Sequence, residues 1–127
     1  MSVATPAPFQ GLLLSDDLIF TSRITGTARD LGLAVRPARS AEALVELARQ
    51  HPPRCVLVDL GHPGLDLGDL LRRLGEACPA LPRVVAYGSH VDTATLRAAR
   101  AAGCDPVLPR SKFVEELPRA LPDWLGE

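Results

Sequence analysis

At 127 residues the chain has room for one domain. It is 46% hydrophobic but only 4% aromatic, so its core must be built from Leu, Val, Ile and Ala. A net charge of −1 leaves no basic footprint for nucleic acid, the apolar runs are too short to span a bilayer, and the N-terminus lacks the charge and apolar stretch of a secretion signal. Cys55, Cys78 and Cys104 are too widely spaced for a zinc pattern, and an odd count argues against a disulfide framework, so reduced thiols in a cytoplasm are expected.

Residues 1–9 are expected to form a flexible leader, with the folded domain over 10–127. Gly11 to Ser15 reads as a buried strand that ends in the acidic pair Asp16-Asp17. A helix from Leu18 to Leu31 follows, with Ile19, Ile24, Ala28 and Leu31 toward one side and Gly32 as its C-terminal cap. Leu33 to Arg36 is a shorter strand. Ser40 can cap the next helix, which runs to Gln50 with Leu44, Val45 and Leu47 inward and is stopped by His51-Pro52-Pro53. Cys55 to Val58 is apolar throughout, as a central strand covered on both faces should be, and it ends at Asp59.

His62-Pro63-Gly64 makes a turn before a helix from Leu67 to Ala77. Arg83 to Tyr87 is a fourth strand, ending at Gly88-Ser89-His90. Asp92 or Thr93 opens a helix that Gly103 closes. Pro106 to Leu108 is a brief fifth strand, and Ser111 is expected to cap a final helix toward Leu125. Pro118 removes a backbone donor inside that helix and predicts a kink or an early end.

Strands that alternate with helices imply a parallel sheet wound on both faces. Ligands of such sheets bind beyond the carboxyl ends of the strands. The residues at those ends are Asp16, Asp17, Asp59, Gly61, His62, Gly88, Ser89, His90 and Arg110. If the first and third strands are neighbours, Asp16, Asp17 and Asp59 converge, and three close anions favour a hard divalent cation such as magnesium. A carboxylate beside such a cation can attack a phosphoryl group. The plainer alternative is that Asp16 and Asp17 cap a helix while Asp59 opens a turn.

Three segments together resemble the receiver domains of response regulators: Leu13-Leu14-Ser15-Asp16-Asp17, the stretch from Val56 to Gly64, and Ala101-Ala102-Gly103-Cys104-Asp105. The resemblance runs from about Gly11 to Leu121. It implies a single-domain, flavodoxin-like α/β fold, CheY-like, with a five-stranded parallel sheet in the order 2-1-3-4-5. It implies Asp59 as phosphoacceptor, and a magnesium ion held by Asp16, Asp17, Asp59 and the backbone carbonyl of Gly61. Arg110, Ser89 and Gly88 become the phosphate-contact positions, with His62 and His90 as accessory candidates.

In that family a histidine kinase supplies the phosphoryl group. The chain would then act as a stand-alone signalling module, not an enzyme, through contact with another protein. No organic cofactor, nucleic acid or membrane is implied, and a homodimer through the last helices is open. A flavin site would want hydroxyl- and glycine-rich loops after the first strand, and Ser15-Asp16-Asp17 carries the wrong charge.

This sequence departs from the family pattern at three places. The family's strand-end hydroxyl, Thr or Ser, is replaced by Gly88, with Ser89 one residue on. Its Lys-Pro pair is replaced by Arg110-Ser111, and its aromatic on the fifth strand by Val107. Arginine keeps the charge on a wider planar fork. The departures favour an atypical receiver and keep a second expectation open, a phosphorylation-independent interaction module. Elsewhere, Cys104 is expected to be a small packing residue, and Trp124 and Leu125 to pack on the domain or mediate self-association. Arg72-Arg73, Arg97 and Arg100 read as solvated faces.

Overall fold

Every residue of Cys55–Asp59 is buried, as expected of a strand with helices on both faces. A computed structural model describes residues 8–126 and places this strand, β3, at the centre of five. The elements follow in strict alternation: β1 (Gly11–Leu14), α1 (Leu18–Asp30), β2 (Val35–Ala38), α2 (Ala41–Gln50), β3 (Cys55–Asp59), α3 (Leu67–Ala77), β4 (Arg83–Gly88), α4 (Thr93–Ala101), β5 (Val107–Pro109) and α5 (Arg110–Leu125). The sheet order is β2-β1-β3-β4-β5, and all four pairings are parallel. This is the flavodoxin-like order. The chain leaves β1 toward β2 on one side and returns to β3 on the other, which opens a crevice beyond the carboxyl ends of β1 and β3.

Side-chain alternation sorts the core into two layers. Leu12, Leu14, Val56, Val58, Val84 and Ala86 face α2, α3 and α4. Leu13, Cys55, Leu57, Val85 and Tyr87 face α1 and α5. Asp59 lies two residues beyond Leu57 and pairs in register with Tyr87, which puts it on the α1/α5 side.

Several expected boundaries shift. Of the leader expected over 1–9, residues 1–7 lie outside the described residues. Phe9 is buried against His51, so packing already begins there. β2 starts two residues later than Leu33 because Leu33 and Ala34 belong to the turn: Leu33 donates to the Ala28 carbonyl and Ala34 to Gln10 Oε1. Pro37 is tolerated because β2 is an edge strand. On α1, Ile19 is 86% exposed and Leu31 sits past the helix end. The inward stripe is Phe20, Ile24 and Ala28, spaced four apart.

The final helix also departs from expectation. Ser111 does not cap α5; the N-cap is Pro109, which makes no side-chain cap bond. The helix continues through Pro118 and Pro122 to Leu125 rather than ending early. Leu117, Leu121, Trp124 and Leu125 are buried along it, and that apolar face outweighs the backbone donors lost at the prolines. Trp124 and Leu125 therefore pack on the domain itself. Leu125 lies so close to Gly11 that any Cβ there would collide with it.

All three cysteines are buried and free. Burial pushes the Cys55 thiol up to about 12. No helix among the described residues is long and apolar enough to cross a membrane.

Candidate functional site

The site forms where β1 and β3 end side by side, Leu14 being paired with Val58. Beyond them Asp16, Asp17, Asp59, Gly61, His62, Pro63 and Arg110 line one open cleft of about 320 Å³. The three acids expected to converge therefore share a pocket, with the backbone of Gly61 beside them.

Each carboxylate is engaged through one oxygen. Asp59, 6% exposed, accepts a hydrogen bond from the Gly61 amide at 2.8 Å through Oδ1, and the Arg110 guanidinium stands 3.8 Å from the same oxygen. Asp17 caps α1, its Oδ1 accepting from Phe20 N at 2.9 Å. Asp16 Oδ1 accepts from Arg39 Nη2 at 3.1 Å in an exposed ion pair. The capping role weighed as the plainer alternative is thus real for Asp17, and it coexists with a place in the cleft.

These bonds all use Oδ1, so Oδ2 of each acid is not taken up by them, and hard oxygen donors are what magnesium takes. Among the described residues, no three His, Cys, Asp or Glu side chains are gathered closely enough to cage a metal by themselves. Magnesium does not need such a cage, because it keeps several waters and takes one or two carboxylates. The donor chemistry fits a cation held partly by water, with Asp16 first released from Arg39.

The phosphate-contact positions divide. Arg110 reaches the site, aimed at Asp59 from the start of α5. Its charge also lies over the Phe20 ring, 5.7 Å from the centroid. Gly88 ends β4 in a tight place: a Cβ there would meet Leu60 Cβ at 3.3 Å and Leu96 Cδ2 at 3.5 Å. Ser89 is exposed, and its hydroxyl accepts from the Val91 amide at 3.4 Å. His62 lines the cleft, but its two ring nitrogens face the carbonyls of Arg39 at 2.8 Å and Pro63 at 3.1 Å, which directs it to backbone rather than to a cation. His90 falls outside this cleft; it lines a neighbouring one with Phe20, Arg23, Ser89 and Arg110.

Two residues at the site were not singled out by the sequence. Arg39 follows β2 and holds Asp16. Tyr87 is fully buried beside Asp59, and its hydroxyl has no hydrogen-bond partner among the described residues. Ser15 Oγ lies beside it and is itself engaged with Asp17, by the amide at 3.1 Å and the carbonyl at 3.4 Å. Burial holds the Tyr87 phenol far above its ordinary range, and the charge of Asp59 adds to that, while Ser15 and Arg110 act the other way. The register was the available signal for Tyr87, since β3 and β4 end together and Asp59 faces Tyr87.

Solved structures share this architecture. The receiver domain of NtrX from Brucella abortus superposes with a TM-score of 0.77 over 91% of this chain and 97% of that one, at 23% identity. The receiver domain of the yeast response regulator Ssk1, solved with the histidine phosphotransfer protein Ypd1 of Saccharomyces cerevisiae, gives 0.76 over 93% and 89%, at 16% identity. Fold and strand-end acids thus define the class: the chain has the receiver-domain fold of response regulators, CheY-like in topology. In sequence it is 39% identical over 79 residues to a response regulator receiver protein of an Anaeromyxobacter species. That match spans 61% of this chain and 32% of the relative's length. No protein-family model matches the chain.

Proposed function

We propose that this domain is a signalling receiver that accepts a phosphoryl group on Asp59. The observation that carries the reading is the buried Asp59 carboxylate sharing one cleft with Asp16, Asp17 and the Gly61 backbone, with Arg110 at 3.8 Å. Asp59 Oδ2 is the nucleophile, because Oδ1 is held by the Gly61 amide. Its lone pair forms the new P–O bond in line with the bond that breaks, and the leaving group departs with that electron pair and a proton.

The chain's own residues orient this step. The Gly61 amide fixes the carboxylate, and Arg110 faces the oxygens where negative charge gathers. Asp16, Asp17 and the Gly61 carbonyl would hold magnesium, which supplies charge neutralisation on the transferred group. The donor is a phosphorylated histidine on a kinase or phosphotransfer protein; the yeast relative was solved with a protein of that kind. The output is contact with another protein.

A second reading, a phosphorylation-independent interaction module, is favoured by two observations: the side-chain-free Gly88 and the Asp16–Arg39 pair that occupies one of the acids. Intact mass separates the two. Incubated with magnesium and acetyl phosphate, the parent is expected to gain one phosphoryl group and Asp59→Asn none. A parent that gains nothing, from this donor and from a phosphorylated histidine protein alike, leaves the interaction module.

A further inference from the structure

We propose that the cleft between α1 and α5, next to the acid cleft, binds a small aromatic anion, an oxyanion carried on a planar ring, and that this anion competes with Asp59 for Arg110. Such a site goes beyond the phosphoacceptor reading and stands whether or not Asp59 is phosphorylated.

The two neighbouring clefts differ in charge. Asp16, Asp17 and Asp59 line the first. The second, of about 620 Å³, has no carboxylate on its wall; it has the guanidiniums of Arg23 and Arg110 and the imidazole of His90. These come from three places in the chain: Arg23 from α1, His90 from the loop after β4 and Arg110 from the first turn of α5. In a chain of net charge −1 that convergence is local, not a general excess of base. The side chains of Arg23 and His90 make no hydrogen bond or ion pair among the described residues. Two guanidiniums that line one space repel each other, and an anion between them relieves that repulsion.

A donor and a ring complete the site. Ser111 adds a hydroxyl on the first turn of α5, and that helix starts here without a side-chain cap, since Pro109 makes no such bond. Uncapped first-turn amides favour an anion. Phe20, half-buried, and Val114 form the apolar wall. Arg110 already lies over the Phe20 ring, 5.7 Å from its centroid, so a flat ligand ring would meet both an aromatic face and a guanidinium plane. The volume suits one small molecule. Arg110 lines both clefts. It stands 3.8 Å from Asp59 Oδ1, longer than a hydrogen bond, and its side chain is 47% exposed, so little holds it on the carboxylate. An anion in the second cleft therefore draws on the same guanidinium as Asp59.

The test uses phenylphosphonate, whose C–P bond prevents transfer to Asp59, in buffer freed of magnesium so that no cation draws it into the acid cleft. Binding is followed by amide shifts in proton–nitrogen NMR spectra of the parent, Arg23→Gln and Asp59→Asn, with inorganic phosphate as the control ligand. Arg23 is exposed and lines the second cleft but not the acid cleft, so Arg23→Gln should keep the parental spectrum elsewhere.

We expect the amides of Arg23, His90 and Ser111 to shift together and saturably, and those of Asp16 and His62 to stay. Arg23→Gln should bind about fivefold more weakly, the upper worth of one exposed charge pair. Asp59→Asn should bind about twofold to fivefold more tightly, because Arg110 is no longer shared. The absence of saturable shifts, shifts centred on Asp16 and His62, parental affinity in Arg23→Gln, or inorganic phosphate binding as tightly as phenylphosphonate each overturns the site. Unchanged or weaker binding by Asp59→Asn overturns the competition for Arg110. None of these outcomes bears on phosphoryl uptake at Asp59, which intact mass reads separately.

Discussion

The two faces of the sheet are built from different materials. Under α2, α3 and α4 the core is aliphatic, with Phe9 as a single ring at its margin. Under α1 and α5 it holds Phe20, Tyr87, Phe113 and Trp124 in one stack, together with the buried carboxylate of Asp59 and the enclosed hydroxyl of Tyr87. The first face can be explained by burial alone. The second accepts a polar cost that burial does not explain, and it does so next to the strand ends. Polar groups kept inside a core at some cost are where a functional reading has purchase.

The comparison breaks most visibly if large cavities are cut on either side. Phe113→Ala should lower stability by about 3–5 kcal/mol in urea denaturation, since it removes the ring stacked between Tyr87 and Trp124. Leu74→Ala on the aliphatic face should cost about 2–5 kcal/mol. A smaller loss for Phe113→Ala than for Leu74→Ala would mean that the ring stack carries less of the fold than the aliphatic face.

Gly88→Thr should destabilise by about 1–3 kcal/mol, because its Cβ arrives 3.3 Å from Leu60, which must then shift. An unchanged denaturation midpoint would show that Leu60 gives way freely. The pH dependence follows from Cys55. Its folded thiol is raised from an ordinary 9.0 to about 12, so the folded state holds the proton more tightly than the unfolded one. That contribution is fully present below about pH 9 and is lost as pH rises toward 12. Cys55→Ser should flatten this alkaline decline in a series of urea titrations. The smallest effect is expected at Arg39→Ala. This exposed pair contributes within about 1 kcal/mol to stability. Freed from Arg39, Asp16 should nonetheless bind magnesium more tightly, as calorimetry would show.

Most of the frame was legible in the chain. The apolar run at Cys55–Asp59 announced a central strand, and the acids after Leu14 and Val58 fell at neighbouring strand ends because periodicity and sheet topology place them there. The helix faces were harder. Ile19 looked inward by composition, whereas the four-residue spacing of Phe20, Ile24 and Ala28 decides the inward stripe. Pro118 read as a kink or an early end, but α5 runs on through it and Pro122, and its buried face outweighs the lost donors. Tyr87 and Arg39 stayed hidden for a different reason. Their importance depends on which strand lies beside which, and no local motif carries that pairing.

The account stands on Asp59 as the atom donor for a new P–O bond. After incubation with acetyl phosphate and magnesium, borohydride reduces an acyl phosphate to the alcohol and so converts a modified aspartate to homoserine, which peptide mapping can locate. We predict homoserine at position 59 and none at 16 or 17. Aspartate recovered intact at 59, or homoserine at a different acid, would contradict the account.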